Sequence, residues 1–405
     1  MSVRSFVLKA GAHDRRFTPI RILLSDAGGN GSGGVSGLTS VNVARTVSAV
    51  IAPDAAPYKL TRTDTGGDVP CQVSQGKVYF ILDELAAGEE RTFTLTETSV
   101  PAAPVVKLKH VERARRIEIK VGARKFTEYH FEGDHARPYF YPLFGPGRVQ
   151  ITRNFPMASG VAGETQDHPH HRSLWVAYGE VNGTDNWSEE PGHGWQTHQS
   201  IARVVDGPVF GEFEERLSWE DREHRRQLEE TRIFRVYSTP DSTRLMDLTV
   251  ALTASEGNVL LKDTKEGGLC SVRVASALDG ARGGRIENSY GAVGEAETWG
   301  KPAQWCDYSG VLDGKAVGIA LMDHPFNLRH PTCWHVRDYG LMTANPFGYS
   351  YYKSGLLQDG SYTILHGNTL VFRYRILLHK HDARKARVGE RYHDYINPPM
   401  VAELK

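Results

Sequence analysis

The sequence predicts an all-β protein whose main body is a large antiparallel β-sandwich. Apolar residues alternate with polar ones in segments such as Ile117–Val121, Leu248–Leu252 and Phe372–Ile376. This period of two is typical of strands that bury one face and expose the other. The 41 glycines and 20 prolines supply turns between such strands. The charged run Glu220–Arg232 fits either a helix or a long hairpin, and Asp382–Tyr395 is the best candidate for a helix.

Two stretches divide the chain into regions. Thr98–Val105 contains prolines and follows an apparent terminal strand at Arg91–Thr96, which indicates a linker. We therefore expect a small N-terminal β domain over residues 1–100, a large sandwich domain that carries the functional site over residues 105–380, and a C-terminal tail over residues 381–405 that can form a helix. The glycine-rich segment Asp26–Gly37 lacks the GK[ST] ending of a phosphate-binding loop, so it predicts a surface loop rather than an anion site.

The composition disfavours several classes of protein. The 405 residues include 48 Lys+Arg and 48 Asp+Glu, so the chain lacks the overall positive charge of a nucleic-acid-binding protein. The apolar run Ala316–Met322 is far shorter than a membrane-spanning helix, which needs about 20 apolar residues. No signal-peptide core, CxxC pair, GxSxG motif or strand-linked GxGxxG motif is present. We expect a cytoplasmic protein with no membrane or nucleic-acid partner and no nucleotide cofactor, and its oligomeric state stays open.

Histidines concentrate in a first window that also holds tryptophans. Five of the 17 histidines lie between residues 168 and 198, together with Trp175, Trp187 and Trp195. In an extended segment His168 and His170 point the same way, so they could grip one divalent ion such as Zn²⁺ or Mn²⁺. Proton transfer or hydrogen bonding to substrate is an equal alternative for these imidazoles.

A second window follows an apolar strand and runs from Asp323 to Gly340. Its His335, Arg337 and Tyr339 share one face of an extended segment, where they could bind a polar ligand and its developing negative charge. Asp338 is either a ligand-binding residue or the partner of an Arg–Asp ion pair. A third set of charged residues, which includes Glu266, Arg273 and Glu287, offers carboxylates for acid–base work or for a metal.

Several motifs occur in a recognisable order between residues 137 and 379. They are Arg137-Pro138-Tyr139-Phe140-Tyr141-Pro142, Asp167-His168-Pro169-His170-His171-Arg172, Gly179-Glu180-Val181-Asn182-Gly183, Gly283-Gly284-Arg285-Ile286, Trp299-Gly300-Lys301, Asp307-Tyr308-Ser309-Gly310, Asp323-His324-Pro325, Arg329-His330-Pro331-Thr332, Trp334-His335-Val336-Arg337-Asp338-Tyr339-Gly340 and Asn345-Pro346-Phe347-Gly348. The series resembles the bacterial family labelled "methane oxygenase PmoA-like", a domain of unknown function. The resemblance implies carbohydrate chemistry, because members of the family tend to accompany sugar-catabolism genes, including oxidoreductases that make keto-sugars. It also implies a supersandwich like that of galactose mutarotases.

The first hypothesis is an enzyme that cleaves or modifies a glycoside or keto-sugar by hydrolysis, β-elimination or hydration. The predicted catalytic residues are His168, His170, His171, Glu180, Glu287 and His335, with His168 and His170 as the metal ligands. The predicted substrate-binding residues are Arg172, Asn182, Trp187, Arg273, Trp334, Arg337 and Asp338. Two alternatives stay open, namely a metal-free sugar epimerase or mutarotase and a non-catalytic carbohydrate-binding protein.

Overall fold

The computed structural model describes residues 3–24, 57–352 and 358–404, and the glycine-rich segment Asp26–Gly37 lies outside these ranges. Strands account for 52% of the protein and helices for 8%, in several large antiparallel sheets, so the prediction of an all-β sandwich is confirmed. None of the described helices has the length and apolar composition needed to span a bilayer.

The strands run along the whole described chain. In chain order they are β1 (Val3–Lys9), β2 (Arg15–Leu23), β3 (Tyr58–Arg62), β4 (Asp68–Val69), β5 (Cys71–Ser74), β6 (Lys77–Leu85), β7 (Glu90–Glu97), β8 (Val106–Val111), β9 (Arg116–Val121), β10 (Arg124–His130), β11 (Tyr139–Leu143), β12 (Leu174–Val181), β13 (Thr184–Asn186), β14 (Trp195–Val205), β15 (Phe210–Glu220), β16 (Arg226–Tyr237), β17 (Thr243–Thr253), β18 (Val259–Leu261), β19 (Gly267–Arg273), β20 (Arg285–Asn288), β21 (Trp305–Leu312), β22 (Lys315–Asp323), β23 (Trp334–Arg337), β24 (Leu341–Ala344), β25 (Tyr362–Ile364), β26 (Thr369–Lys380) and β27 (Met400–Leu404).

The described helices are short. The α-helices are α1 (Gly294–Thr298), α2 (Tyr349–Tyr352) and α3 (Val388–Ile396), and the 3-10 turns are Glu112–Ala114, Pro146–Arg148, Ser276–Leu278 and Gly280–Arg282. Helix α3 lies inside the helical candidate Asp382–Tyr395 except for its last residue. The charged run Glu220–Arg232 is part of a hairpin, because it contains the end of β15, the turn and the first half of β16, and these two strands pair antiparallel.

The chain separates into two units. The first comprises Met1–Pro104, Gly207–Val209 and Asn397–Lys405, and the second comprises Val105–Asp206 and Phe210–Ile396. The first unit contains a five-stranded sheet in the order β27-β1-β7-β3-β4 and a three-stranded sheet in the order β2-β6-β5. The tail therefore contributes a strand, β27, to the first unit as well as a helix to the second.

The second unit is a sandwich of two large sheets. The eight-stranded sheet has the order β14-β15-β16-β17-β26-β22-β21-β20, and the eleven-stranded sheet has the path β23-β24-β19-β12-β11-β10-β9-β8 with β13, β18 and β25 attached. Both sheets contribute to one hydrophobic core, for example through Leu248, Phe372, Leu174 and Val272. The alternating apolar residues of the sequence therefore point between the sheets, as the period of two predicts.

The eleven-stranded sheet buries its other face as well. Residues that alternate with the core positions, such as Trp175, Ser271, Arg273, Thr343 and His335, are also buried. Water is excluded from an outward face only when loops cover it, so polar side chains there must find partners among themselves. This covered outer face carries His335, and His171 stacks on its Trp175.

The sandwich core also contains buried ions. The guanidinium of Arg232 donates to both oxygens of Glu230 at 2.6 and 2.7 Å, and Trp219 Nε1 donates to the same carboxylate at 2.6 Å. Arg232 also donates to the Tyr129 hydroxyl at 3.0 Å, and that hydroxyl bonds Glu215. All these side chains are shielded from water, so each charge depends on its partners.

Arg232→Met should lower the free energy of unfolding by about 3–5 kcal/mol, because it leaves buried carboxylates without their cation. Arg232→Met combined with Glu230→Gln should recover at least about 1 kcal/mol of that loss, since one of the stranded charges is removed. Urea unfolding measures both. A single variant within about 1 kcal/mol of wild type would contradict this role for the cluster.

Candidate functional site

A row of side chains crosses the outer face of the eleven-stranded sheet. Tyr139 pairs with Trp175, Trp175 with Ser271, Ser271 with Thr343, and Thr343 with His335. Neighbouring strands lie about 4.8 Å apart, so the row spans about 19 Å. Its large aromatic and imidazole side chains stand at the two ends, and the two short hydroxyl side chains stand between them.

Asp167 forms the charged centre above this row. Its Oδ1 accepts a hydrogen bond from Arg273 Nη2 at 2.7 Å and a second from Arg153 Nη1. Both guanidinium groups are completely buried. Burial alone would raise the pKa of Asp167, but the charge of Arg273 and the contacts with His168 and Arg153 outweigh it, so the pKa is lowered. Asp167 is therefore ionised at neutral pH.

His168 stands beside this carboxylate at the solvent side of the site. Its Nδ1 lies 3.0 Å from Asp167 Oδ2, and 39% of its side chain is exposed. Its backbone has φ +44°, in the left-handed region that non-glycine residues rarely adopt. Arg153 Nη2 holds that conformation by donating to the His168 carbonyl at 2.9 Å. The result is a carboxylate–imidazole dyad on a constrained turn.

The two following histidines are more deeply placed and neutral. His171 Nδ1 lies 3.1 Å from Arg273 Nη1, so it accepts a guanidinium hydrogen and the ring carries its own proton on Nε2. Burial, with His170 and Arg273 nearby, holds the pKa of His171 well below its usual value. Burial and the charge of Arg137 lower the pKa of His170 to about 4. Both imidazoles are hydrogen-bonding groups rather than cations at neutral pH.

His335 occupies the far end of the row. Trp299 Nε1 donates to His335 Nδ1 at 3.2 Å, which leaves its Nε2–H facing Glu266, whose Oε2 is 3.9 Å away. Burial and the charges of Arg337 and Lys265 lower the pKa of His335 to about 3. Glu266 has 38% of its side chain exposed, so it is a carboxylate that solvent or a ligand can reach.

Tyr339 is the place where the two histidine windows meet. Its ring stacks on His168 with the centroids 5.0 Å apart and an interplanar angle of 11°. The guanidinium of Arg273 lies 4.8 Å from the ring centroid, and that of Arg337 lies 5.6 Å from it. Arg337 Nε is also 3.0 Å from Glu295 Oε1. The predicted residues His168, His170, His171, Arg273, His335 and Arg337 therefore form one continuous neighbourhood.

Arg172 and Trp187 belong to the supporting wall of the site. Arg172 makes a bidentate pair with Glu189 at 3.0 and 2.7 Å, so its charge is already matched. Trp187 is 3% exposed and packs edge-on against His170 and His171. The indole therefore orients the histidines and has no free face on which a sugar ring could stack.

Several predicted residues lie outside this neighbourhood. Trp334 is completely buried in the sandwich core and donates its Nε1–H to the Ala303 carbonyl at 2.8 Å, so the predicted stacking on a sugar is wrong for this residue. Asn182 sits in the exposed β12–β13 turn, with φ +49°, and bonds Gln227 and the Leu260 amide. The structure brings neither to the histidines.

The predicted carboxylates have other partners. Glu180 lies 3.0 Å from Lys262 Nζ at the end of β12, and Glu287 pairs with Arg285 on the edge strand β20 of the other sheet. Asp338 lies in the turn before β24, where its amide donates to Glu295 Oε2 at 2.7 Å. Arg337 pairs with Glu295 rather than with Asp338.

The described side chains of the site lack the ligand set that the predicted divalent ion needs. Within residues 3–24, 57–352 and 358–404, no three His, Cys, Asp or Glu side chains form a group that could hold a metal. The rings of His168 and His170 lie edge to face with their centroids 5.7 Å apart. The buried guanidinium group of Arg273 lies against the neighbouring His171. Cations so close to the imidazoles oppose binding of a further cation. The described side chains therefore do not fit a divalent ion.

Sequence reasoning assigned no role to Asp167, Arg153 or Glu189. Asp167 and Tyr339 lie inside motifs that were recognised, but nothing in the pattern showed that Arg273 would reach Asp167 across 106 positions of sequence. Arg153 and Glu189 carry no local signal. The alternation of side chains in the second window did indicate Tyr339, because it places this residue on the same face as His335 and Arg337.

A family model described as "Family of unknown function (DUF6807)" matches residues 116–393. The resemblance to a PmoA-like family is wrong, because the match is to DUF6807 and no PmoA-like family is found. No curated protein matches the sequence significantly.

Acid should destabilise the protein through its buried neutral histidines. The pKa values of His170 and His335 are lowered to about 4 and about 3 in the folded state, so between roughly pH 6.5 and pH 4 the unfolded chain binds protons that the folded chain does not. The free energy of unfolding should therefore fall as the pH drops through this window.

His335→Gln removes one of these proton-binding differences. Its free energy of unfolding should depend less steeply on pH than that of wild type, by up to about 1.4 kcal/mol per pH unit. Denaturant unfolding at several pH values between 4 and 7 measures the two slopes. Equal slopes would show that His335 is not held neutral by burial.

Proposed function

We propose that this chain, which belongs to the DUF6807 family of unknown function, is an enzyme that moves a proton on a sugar bearing a carbonyl group. The observation that carries the proposal is His168. Among the described histidines of the site it combines a carboxylate partner, an exposed ring and a constrained backbone. A histidine oriented in this way is the usual form of a general acid or base.

The proposed base is the free Nε2 of His168. Asp167 Oδ2 lies 3.0 Å from Nδ1, and its negative charge favours the tautomer in which Nδ1 carries the proton and Nε2 carries the lone pair. Asp167 cannot turn away, because Arg273 and Arg153 hold its other oxygen. It also stabilises the imidazolium that forms when His168 takes a proton.

The surrounding donors suit the negative charge that such a step creates. Removing a proton next to a carbonyl group places charge on the carbonyl oxygen, and fixed N–H groups stabilise it. Arg337 has 34% of its side chain exposed and supplies a charged donor. His335 and His170 are neutral at working pH, and a neutral imidazole N–H can polarise a carbonyl without giving up its proton.

Sugars fit the exposed edge of the site because hydrogen-bond donors, acceptors and an aromatic ring lie there together. Glu266 accepts hydrogen bonds, Arg337 donates them, and Tyr339 offers a partly exposed ring. The same groups would also serve a metal-free epimerase or mutarotase. The observation in favour of that second candidate is that Glu266 provides a second reachable acid–base group besides His168.

His168→Gln should reduce turnover by about 10²–10⁴-fold, the usual contribution of a general acid or base. A suitable substrate is methyl β-D-glucopyranoside oxidised to the ketone at C3, because that ketone makes the C2 hydrogen acidic. Methanol release and loss of the C2 hydrogen report turnover. His224→Gln, on the exposed turn between β15 and β16, is the matched control and should keep wild-type activity.

Turnover should also persist after the full-length protein is treated with a chelator and dialysed, since the proposed proton transfer uses side chains alone. Unchanged activity in His168→Gln would show that His168 is not the general base. Activity that disappears on chelation and returns with Zn²⁺ or Mn²⁺ would replace the mechanism with a metal-dependent one.

A further inference from the structure

We infer that Tyr339 is the acid of this site, and that its phenol protonates the oxygen that leaves the sugar. This inference rests on the proposed function, because an acid is needed only if His168 creates the enolate. It narrows the reaction to a β-elimination and the substrate class to sugars with a leaving oxygen two carbons from the carbonyl carbon.

The position of Tyr339 is fixed by the turn that carries it. The carbonyl of Asp338 accepts hydrogen bonds from the Gly280 amide at 2.6 Å and from the Tyr308 hydroxyl at 2.9 Å. Gly340 follows with φ +98°, a conformation that favours glycine. The ring of Tyr339 is thereby held against His168, so the acid and the base approach a substrate from the same side.

The hydroxyl of Tyr339 is left available. Several other tyrosines of this unit, though not all, donate their hydroxyls to neighbours: Tyr141 donates to Asn154 at 2.9 Å, Tyr237 donates to Asp247 at 2.8 Å, and Tyr352 donates to the Lys265 carbonyl at 3.0 Å. Tyr339 makes no hydrogen bond to any residue that the structure describes, although its ring is closely packed. A partly buried hydroxyl without a partner is suited to a ligand.

The two guanidinium groups beside the ring favour proton donation, whereas burial and the carboxylates of Glu266 and Asp167 oppose it. Burial raises the pKa of Tyr339 to about 12, so the phenol keeps its proton at neutral pH. Arg337 and Arg273 act in the opposite direction, because their guanidinium groups flank the ring and stabilise a phenolate. The same two cations therefore lower the cost of the charge that appears when the proton leaves.

The elimination is balanced with the groups present. His168 Nε2 takes the proton from the carbon next to the carbonyl, and that electron pair forms the enolate. The enolate collapses to a conjugated ketone as the bond to the leaving oxygen breaks, and Tyr339 gives its proton to that oxygen. The products are an alcohol and an unsaturated keto-sugar. Solvent water then reprotonates Tyr339 and takes the proton from His168.

Tyr339→Phe tests the acid with two substrates that differ in leaving group. Methyl and p-nitrophenyl β-D-glucopyranosides, each oxidised to the ketone at C3, carry the leaving oxygen on C1. Methanol release should fall by about 100-fold or more, because methoxide needs a proton donor. Release of p-nitrophenol should stay within about 5-fold of wild type, since that anion leaves without one. Exchange of the C2 hydrogen in D₂O should continue.

The controls separate this inference from the proposed function. Tyr290→Phe, at an exposed tyrosine, is the matched control and should release methanol at the wild-type rate. Wild-type protein that neither exchanges the C2 hydrogen nor releases either alcohol would refute the proposed function itself. Wild-type activity with normal methanol release by Tyr339→Phe would overturn the role of Tyr339 alone. Equal losses with both substrates, together with a raised KM, would show that the hydroxyl binds substrate instead.

Discussion

One carboxylate organises the functional region of this protein. Asp167 is the shared partner of Arg153 and Arg273, which are both fully buried. A guanidinium removed from water without a counter-ion costs several kcal/mol, so these two side chains can lie under the covering loop only because Asp167 lies between them. Arg153 in turn holds the His168 carbonyl, and Arg273 holds His171. The placement of both histidines therefore depends on the two ion pairs that this single carboxylate makes.

The sheet beneath explains why such a contact can exist. A pleated strand points successive side chains to opposite faces, so β12, β19 and β23 each supply one set of residues to the sandwich core and the alternate set to the outer face. Leu174 and Val272 lie in the core, whereas Trp175 and Arg273 lie on the outer face. The core stabilises the strands, and the strands hold the site residues at fixed spacings, which is the arrangement that preorganised chemistry needs.

The alternation of side chains along these strands determined which features could be predicted from the sequence. Alternation at Leu248–Leu252 and Phe372–Ile376 predicted strands because burial of one face is written directly into the residue order. The alternation that groups His335 with Arg337 and Tyr339 also assigns Trp334 and Val336 to the opposite face. The burial of Trp334 could therefore have been predicted from the sequence. The partners of Asp167 were not, since ion pairing across the sheet depends on register between distant strands. The predicted roles of Asn182 and Glu287 went the other way, because a polar residue in or next to a motif can instead belong to a turn or an edge strand.

The central claim is that His168, held by Asp167, meets the acidic carbon of a carbonyl sugar. A crystal structure of the protein with 1,5-anhydroglucitol oxidised to the ketone at C3 tests it most directly, because this analogue has the ketone but no glycosidic leaving oxygen on C1. We predict that C2 lies about 3–3.5 Å from His168 Nε2, the separation of reacting atoms in a productive complex, and that C1 lies on the side of the Tyr339 hydroxyl. A sugar bound on another face of the sheet, or with C2 turned away from His168, would contradict it.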